Sequence, residues 1–407
     1  MTQTVELGPA YTAGPYEFYA ELRKQGPVFF SEDMNAYLLT RYADVSWALK
    51  HPAIFSHESF WDEPVSRHNP DNSGESHIVN RFSNMMMYKD GAAHSRMRRM
   101  HGKTFTPPQV RSRRPEVEEM CRSLLTQARE KGSFDFVHDF AAPLPSMVIA
   151  DYLGIPQSDR EWVCELADRF STVFEPPLDG PERSAMLHDV VPFVDYLDRL
   201  ITERRRNPQD DFISQLAAVG EGDGMTHEEL HGNLMHLTVA GNETTTNLLQ
   251  HMIVQLTRDP DVRAQMADDP DLIRSFMEET LRYEAPIQIL GRKTAEEVTI
   301  GEHTIPAGAV VGLGVGSANR DEERFPQPDV FDPRRTENAH LSLAVGPHFC
   351  IGAPLARLEG TVALEMLTGE FKDLIVDTDV APQWKPDMLL RGYTKLGVRF
   401  CDDRPLS

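Results

Sequence analysis

The chain has 407 residues and a formal net charge of −22, which excludes a nucleic-acid partner because binding phosphates needs a basic surface. Its four cysteines include no CxxC pair, which excludes a disulfide framework and a structural zinc site and fits a reducing cytoplasm. No signal-peptide pattern and no apolar run of membrane-spanning length is present, so we expect a cytoplasmic protein without membrane contact.

Helical patterns dominate the predicted elements, and short strands lie near both ends of the chain. Residues 15–25 predict a helix, the runs "PVFF" and "AYLLT" around the turn "SEDMN" predict a hairpin, and "YADVSWALK" predicts another helix. Residues 52–88 are irregular, mostly helical patterns follow to about residue 250, and short strands return after residue 284. Because no linker interrupts this order, we expect one mainly α domain with minor β structure, an α+β fold over residues 1–407.

The stretch "MTHEELHGNLMHLTVAGNETTTNLLQHMIVQLTRDP" predicts one long helix. It opens with Thr226 and Glu229, which are spaced as a capping box, and it ends before Pro260. About 32 helical residues would span roughly 48 Å. Leucine and methionine side chains fall on most sides of this helix, so we expect it to run through the core.

The centre of this helix, "AGNETTT", is unusual for a buried segment. Gly241 costs about 1 kcal/mol against alanine, and Glu243 and three threonines stand where a buried helix prefers leucine or valine. One interpretation is a helix bend, with threonine hydroxyls bonded back to the i−4 carbonyls. The other is that the glycine lets a ligand lie against the backbone while an acid and a hydroxyl deliver protons. Because several local rules are broken together, the second interpretation is favoured.

An acid and an arginine share one face of the predicted helix "DLIRSFMEETLRYEAP". Glu279 and Arg282 are three residues apart, and alone they would make a surface ion pair worth a few tenths of a kcal/mol. Their apolar neighbours indicate partial burial, and a buried pair needs further partners. The downstream "FDPRR" offers Arg334 or Arg335 as such a partner.

A cysteine loop, "SLAVGPHFCIGAPLARLEG", lies near the end of the chain. Gly346 and Gly352 bracket Cys350, Pro347 stiffens the approach, and helical periodicity follows. A thiol at a helix N-terminus has a lowered pKa and favours the thiolate. Such a thiolate could be a nucleophile, a metal ligand or neither of these.

These stretches, in this order, resemble those of the cytochrome P450 haem-thiolate monooxygenases, and within them the soluble bacterial class. The matching stretches are "HSRMRR", "AGNETT", "ETLR", "ANRDEERFPQPDVFDPRR" and "GPHFCIG", and the resemblance covers nearly the whole chain. An ExxR motif alone is weak, but the ordered set, with the cysteine about seventy residues beyond it, is specific. The resemblance implies the cytochrome P450 fold, with a long central helix over the haem and a small strand-rich subdomain. It also implies haem b with the thiolate of Cys350 as the axial ligand of the iron.

The resemblance also implies roles for other residues. The implied partners of the haem propionates are His94, Arg98, Arg292 and His348. The implied contacts with the porphyrin and its ligand loop are Ala240, Gly241, Leu343, Gly346 and Gly352. Thr244 is the implied hydroxyl and Glu243 the implied acid that deliver protons for oxygen activation. Glu279, Arg282 and Arg335 resemble the structural triad of the family, with Arg335 chosen over Arg334 by the spacing "FDxxR".

The cysteine loop departs from the family pattern at two positions. Leu343 and Ala344 stand where the family usually has Phe and Gly. Leu343 can fill part of the space beside the sulfur but has no ring. We therefore expect an intact site with an altered sulfur environment and a shifted redox potential, since the packing around a metal ligand tunes the metal.

Substrate and electrons are expected to reach the haem from different elements. The substrate contacts are expected at Met86, Met87, Leu237, Ala240, Ile287, Leu290 and Leu389. Because the chain has no flavin or iron–sulfur motif, we expect a ferredoxin-type electron donor, steered by basic residues on the cysteine side. These basic residues are Arg96, Arg99, Lys103, Arg111, Arg113, Arg114 and Arg357.

The sequence therefore predicts a monomeric, ferredoxin-dependent monooxygenase that uses O2 to hydroxylate or epoxidise a mid-sized, largely apolar metabolite. One alternative is a haem-thiolate enzyme with peroxide-driven or oxidative coupling chemistry, which the presence of Glu243 and Thr244 disfavours. Another is a non-catalytic ligand-binding or recruitment module on the same fold, which the presence of Cys350 and Thr244 disfavours.

Overall fold

The structure, a computed structural model, describes residues 2–8, 11, 14–58, 78, 80–103, 105–171, 188–218 and 224–401. Most of the irregular stretch expected at residues 52–88 lies outside these described residues. The chain divides into two compact units. The first unit comprises Met1–Phe55, Arg114–Leu144 and Thr244–Ser407, and the second comprises Ser56–Arg113 and Pro145–Glu243.

Helices make up most of the described chain. They are α1 Pro15–Gln25, α2 Tyr42–Lys50, α3 Gly91–His101, α4 Pro107–Ser112, α5 Arg114–Lys131, α6 Pro143–Leu153, α7 Arg160–Ser171, α8 Val191–Arg206, α9 Phe212–Ala217, α10 His227–Ala240, α11 Glu243–Arg258, α12 Pro260–Met266, α13 Pro270–Tyr283, α14 Val315–Ala318 and α15 Ala353–Thr368. Within the described residues, no helix has both the length and the apolar character that crossing a bilayer requires.

Strands are short and lie mainly in the first unit. They are β1 Gln3–Val5, β2 Val28–Ser31, β3 Ala36–Leu39, β4 Phe55–Ser56, β5 Ser133–Asp135, β6 Ile289–Thr294, β7 Val298–Ile300, β8 His303–Ile305, β9 Val310–Gly314, β10 Leu374–Val376, β11 Gln383–Trp384, β12 Tyr393–Lys395 and β13 Gly397–Phe400.

The main sheet of the first unit contains the predicted hairpin. Strands β1, β2, β3, β9 and β6 lie side by side in that order. Strands β2 and β3 pair antiparallel from Val28 opposite Leu39 to Ser31 opposite Ala36, which confirms the hairpin around "SEDMN". The apolar side of this sheet packs on α2, in a cluster that includes Leu39, Val45 and Val311.

The long predicted helix is interrupted, so the expectation of one continuous helix is wrong. Helix α10 ends at Ala240, the amide of Asn242 bonds to the carbonyl of Val239 at 3.0 Å, and α11 begins at Glu243. The predicted start is confirmed, because the side chain of Thr226 and that of Glu229 form a reciprocal capping box. The predicted end is also confirmed, since α11 stops at Arg258.

Close packing within the second unit explains why a glycine stands at the interruption. A Cβ atom on Gly241 would lie 3.2 Å from the carbonyl oxygen of Leu237 and 3.3 Å from Cγ1 of Ile149 on α6. Both separations are tighter than ordinary van der Waals contact. The absence of a side chain at Gly241 therefore allows α10 to pack closely against α6.

Candidate active site

Cys350 lies on a short loop of the first unit that leads directly into α15. A 3₁₀ turn, Gly346–His348, precedes the cysteine, and α15 begins at Ala353. The amide of Cys350 donates to the carbonyl oxygen of Leu343 at 2.8 Å, which closes the loop. The residue is half-buried and is not in a disulfide. The N-terminus of α15 favours a negatively charged sulfur at this place, as expected from the sequence.

The two glycines that bracket Cys350 serve different purposes. Gly346 has φ +78°, and a Cβ atom there would lie 2.9 Å from the carbonyl oxygen of Leu49, so only glycine fits. A Cβ atom on Gly352 would lie at an ordinary distance of 3.8 Å from Sγ of Cys350. Gly346 is thus required by the backbone, whereas a side chain at Gly352 would make an ordinary van der Waals contact with the sulfur.

Ala344 occupies a left-handed backbone position. Its φ is +56°, a conformation that only Asn35 and Gln327 share among the described non-glycine residues. Its amide donates to the carbonyl oxygen of Leu341 at 2.8 Å, and its side chain packs on the same cluster as Leu290. The loop therefore uses a conformation that favours glycine at a position where this chain has alanine.

Glu279, Arg282 and Arg335 come together in the first unit. The guanidinium of Arg282 donates to both carboxylate oxygens of Glu279 at 2.8 Å, and Nε of Arg335 donates to the same carboxylate at 3.2 Å. Glu279 and Arg282 are fully buried. Arg334 turns away, since its side chain is 57% exposed and bonds to Gln265. The choice of Arg335 by spacing therefore agrees with the observed contacts.

A neighbouring ion-pair cluster escaped the sequence analysis. Glu278 accepts hydrogen bonds from Arg357 at 2.6 and 2.9 Å and pairs with His340 at 3.0 Å, which joins α13 to α15. Burial raises the pKa of Glu278, but His340 and Arg357 together lower it to about 2. The sequence signal for this cluster was the pair of adjacent acids, Glu278 and Glu279, in "MEETLR". Adjacent residues of a helix point in different directions, so the second acid needs partners of its own.

A buried acid on α15 was also missed. Glu359 is 2% exposed, and its Oε2 has no hydrogen-bond partner within the described part of the chain. Burial raises the pKa of this carboxyl well above its ordinary value, so the protonated form is favoured. The signal in the sequence was the position of Glu359 between Leu358 and Gly360 in the largely apolar stretch "LARLEGTVALEML", which also contains Glu365.

The proposed oxygen-activation residues are the more accessible part of an otherwise buried segment. Ala240, Gly241, Glu243 and Thr244 are half-buried, whereas residues 245–253 are buried. Thr246 has a structural contact, because its hydroxyl donates to the carbonyl oxygen of Ala141 at 3.0 Å. The accessible residues are thus those that the resemblance assigns to the oxygen side of the haem.

Each unit by itself offers side chains of the kind that a haem needs. In the first unit Arg292 is 3% exposed on β6, and His348 is half-buried in the turn before Cys350. In the second unit His94 is 4% exposed and Arg98 half-buried, four residues apart on α3. A propionate is a suitable acceptor for a guanidinium buried as deeply as that of Arg292. The thiol, Arg292 and His348 of the first unit therefore fit a haem, and His94 and Arg98 of the second unit are side chains of the same kind.

Two of the predicted substrate-contact stretches are joined in the first unit. The amide of Gln288 donates to the carbonyl oxygen of Leu389 at 2.7 Å, and Ile287 forms an antiparallel bridge with Leu390. Ile287, Leu290 and Leu389 are half-buried. In the second unit Met87 is half-buried, whereas Met86 and Leu237 are 5% and 6% exposed.

The basic residues expected to meet an electron donor are partly occupied by acidic neighbours. Arg96 pairs with Glu229, Arg114 with Glu118 and Glu365, and Arg357 with Glu278. Arg113 lies 4.0 Å from Asp151. Arg99, Lys103 and Arg111 are exposed in the second unit.

Comparison with known proteins identifies the family. A family model described as "Cytochrome P450" matches residues 14–396. The chain is 35% identical over 396 residues to "Cytochrome P450 107B1" of Saccharopolyspora erythraea, with 96% of both chains covered. It is 34% identical over 394 residues to "Vitamin D(3) 25-hydroxylase" of Pseudonocardia autotrophica, with 94% of this chain and 93% of the relative covered.

A solved structure shows the same fold. P450BioI, in complex with an acyl carrier protein ligated to hexadec-9Z-enoic acid, is similar to this chain with a TM-score of 0.86 at 31% identity. The similarity covers 96% of this chain and 99% of that chain. The expected fold, mainly α with minor β structure, is thereby confirmed.

Proposed function

The chain belongs to the cytochrome P450 family of haem-thiolate monooxygenases, and on this premise we propose that it inserts one oxygen atom from O2 into a mid-sized, largely apolar organic substrate. The proposed reaction is a hydroxylation or an epoxidation in the biosynthesis of a specialised metabolite. A haem iron with an axial thiolate supplies the chemistry, because the thiolate donates electron density that favours breaking the O–O bond. We further propose that the whole chain acts as one monomeric haem-thiolate domain.

The loop around Cys350 is the observation that carries this proposal. The thiol lies three residues before α15, the amide of Cys350 is bonded to the carbonyl oxygen of Leu343, and the backbone of Gly352 lies next to the sulfur. Cys350 is the axial ligand in this proposal, and Leu343 and Gly346 shape its surroundings. Ala240 and Gly241 leave room on the oxygen side.

Four basic or imidazole side chains hold the haem propionates in the proposal. Arg292 and His348 act from the first unit, and His94 and Arg98 act from the second. Two of these four, Arg292 and His94, are less than 5% exposed, which suits a partner that is itself buried.

Glu243 and Thr244 have the proposed task of delivering protons. The reaction needs protons at the oxygen, and a hydroxyl next to an acid can pass them on from solvent. Both residues are half-buried beside a fully buried stretch of α11, which suits groups that pass protons between solvent and the site.

Glu279, Arg282 and Arg335 have a structural role in the proposal, in folding and in haem retention. Glu279 also accepts a hydrogen bond from the amide of Asp332 at 2.9 Å, at the start of the segment that leads to the cysteine loop. The triad therefore fixes the direction from which that segment approaches.

The proposed substrate contacts are apolar side chains, some in the first unit and some in the second. They are Met86, Met87, Leu237, Ala240, Ile287, Leu290 and Leu389. The hydrogen-bonded contact between Gln288 and Leu389 supports a common surface for the last three. A relative named for hydroxylating vitamin D3 and a neighbour bound to a fatty-acyl carrier protein support a largely apolar substrate.

The proposed electron donor is a ferredoxin with its reductase. Arg99, Lys103 and Arg111 are exposed within a stretch of the second unit, and they offer an acidic protein a basic surface. Because Arg96, Arg114 and Arg357 have acidic neighbours, they contribute less to this surface than the sequence suggested.

The ligand assignment is tested with the purified haem protein. We expect the reduced carbon monoxide adduct to have the red-shifted Soret band of thiolate ligation, and we expect Cys350→His to lose that band. A wild-type protein without it would refute the proposal. Steroids, vitamin D3 and fatty acids are then screened for the Soret shift that follows displacement of water from the iron.

The proton-delivery role is tested with the first compound that gives such a shift. We expect Thr244→Ala to keep consuming NADPH through a ferredoxin system but to release hydrogen peroxide instead of product. Thr244→Ser, which keeps the hydroxyl, serves as the control and should stay coupled. Unchanged product per NADPH in Thr244→Ala would remove Thr244 from the reaction.

A further inference from the structure

A short segment of the second unit lies directly against the backbone of α10. This segment, residues 80–88, carries Met86 and Met87 in the 3₁₀ turn Met86–Tyr88. A Cβ atom on Gly232 of α10 would lie only 2.3 Å from the carbonyl oxygen of Arg81 and 3.4 Å from the carbonyl carbon of Asn84. The absence of a side chain at Gly232 therefore permits the contact.

The next residue of α10 holds the other end of the segment. Asn233 is 1% exposed, and its Oδ1 accepts a hydrogen bond from the amide of Met86 at 3.0 Å. Its Nδ2 donates to the carbonyl oxygen of Glu229 at 2.7 Å, one turn earlier on the same helix. Because one end of the amide is held by the helix, the other end is presented to Met86 in a fixed direction.

Arg81 fixes the beginning of the segment. Its side chain is 7% exposed and donates to Asp198 on α8 at 3.2 Å. The same carboxylate pairs with Nε2 of His227, at the start of α10, at 2.7 Å. The segment is therefore tied to α8 through Arg81 and to α10 through Asn233.

We propose that Asn233, together with Arg81, is a positioning residue for the substrate pocket. The two side chains fix the backbone of residues 80–88, so that Met86 and Met87 form one defined wall. Methionine has three rotatable bonds and adapts to many shapes, so a methionine wall selects between ligands only when its backbone is held in place. This inference rests on the proposed role of Met86 and Met87 in the pocket.

Hydrogen exchange in the full-length haem protein tests whether Asn233 holds the backbone at Met86. In Asn233→Ala we expect the amide of Met86 to exchange about tenfold faster, because its acceptor is gone. Thr238→Val is the matched control, since the Thr238 hydroxyl is buried on the same helix and donates to the carbonyl oxygen of Leu234, one turn earlier on that helix, at 2.8 Å. The control should leave the exchange of Met86 unchanged.

Two azoles of different size test whether the fixed position of residues 80–88 affects ligand binding in the pocket. Imidazole and 4-phenylimidazole are titrated into each protein, and their dissociation constants are read from the Soret shift. In Asn233→Ala we expect 4-phenylimidazole to bind at least threefold more weakly, because its ring meets a less defined wall, while imidazole binds as in the wild type. Gly232→Ala forces the segment away from α10 while improving helix propensity. It should therefore also raise the affinity ratio, which is the dissociation constant of 4-phenylimidazole divided by that of imidazole.

The outcomes separate this inference from the proposed function. Unchanged exchange of Met86 in Asn233→Ala, or faster exchange with an unchanged affinity ratio in both variants, would overturn the positioning role. A wild-type protein that binds neither azole at a haem would instead refute the proposed function. If Asn233→Ala does not fold, the affinity ratio of Gly232→Ala decides the question.

Discussion

Replacing Ala344 by glycine should remove backbone strain from the cysteine loop. Ala344 has φ +56°, and a side chain in this left-handed region costs about 1–2 kcal/mol. Glycine removes that cost but makes the unfolded chain more flexible, which lowers stability by about 0.4–1 kcal/mol. Loss of the half-buried methyl group removes about 0.4 kcal/mol more. The net change therefore lies between a destabilisation of about 0.4 kcal/mol and a stabilisation of about 1.2 kcal/mol.

A second alanine in the same region supplies the control. Ala339 is exposed and is not among the described residues with a positive φ. Its replacement by glycine should therefore destabilise the protein by about 0.4–1 kcal/mol, through the unfolded chain alone. Both variants gain the same flexibility in the unfolded chain, so this effect cancels when their changes in the free energy of unfolding are compared. The remaining difference of about 1 kcal/mol is the strain at Ala344 minus the contribution of its lost methyl contact.

Urea unfolding of the haem protein, followed by circular dichroism, measures both variants. The midpoints should move in opposite directions, or Ala344→Gly should stay near the wild type, with slopes that do not change. If Ala344→Gly destabilises the protein as much as Ala339→Gly does, the alanine carries no strain and the reasoning about this loop fails.

Three further substitutions probe Glu359, Glu278 and the surroundings of Glu279. Glu359→Gln should raise the melting temperature at pH 8 more than at pH 5: the raised pKa of the buried carboxyl makes the wild type less stable as pH rises above the unfolded value of 4.5. Glu278→Gln should lower the free energy of unfolding at pH 7 by about 2 kcal/mol, measured by urea unfolding. This loss should shrink as pH falls from 4.5 towards the folded pKa of about 2, because a group with a lowered pKa loses its stabilising contribution over that range. Arg335→Met should lower the free energy of unfolding by about 1–3 kcal/mol and lower the haem content per protein, since it removes one hydrogen-bond donor from buried Glu279 while Arg282 remains. The exposed neighbour is the control, and Arg334→Met should stay within about 0.5 kcal/mol of the wild type. Equal losses for the two arginines, or pH-independent differences for the two acids, would contradict these expectations.

Elements with local signals were predictable from the sequence. The hairpin β2–β3 and the capping box at Thr226 depend on residues within a few positions of one another. The interruption at Gly241 was not predictable, because sequence rules treat one glycine in a helix as a tolerated cost of about 1 kcal/mol. The close contact that favours glycine at this position involves the side chain of Ile149, which comes from a distant part of the chain.

The candidate site was predictable where motif spacing carries the information. The spacing of "FDxxR" selected Arg335, and the structure places Arg335 rather than Arg334 on Glu279. Spacing could not assign Glu278, because two adjacent acids on a helix face different neighbours and the sequence does not say which ones. The partner of Glu278, Arg357, was instead assigned to a basic surface.

The strain at Ala344 is held in place by the buried contacts of the segment before it. Glu279 accepts hydrogen bonds from the amide of Asp332 and the side chain of Asn338. Further along, the amide of Leu341 donates to the side chain of Asn319 at 2.7 Å. A strained residue persists only where its surroundings over-determine the backbone. Glu279 and Asn319 therefore anchor the segment that ends in the turn from Leu341 to Ala344, and these contacts are surroundings of that kind.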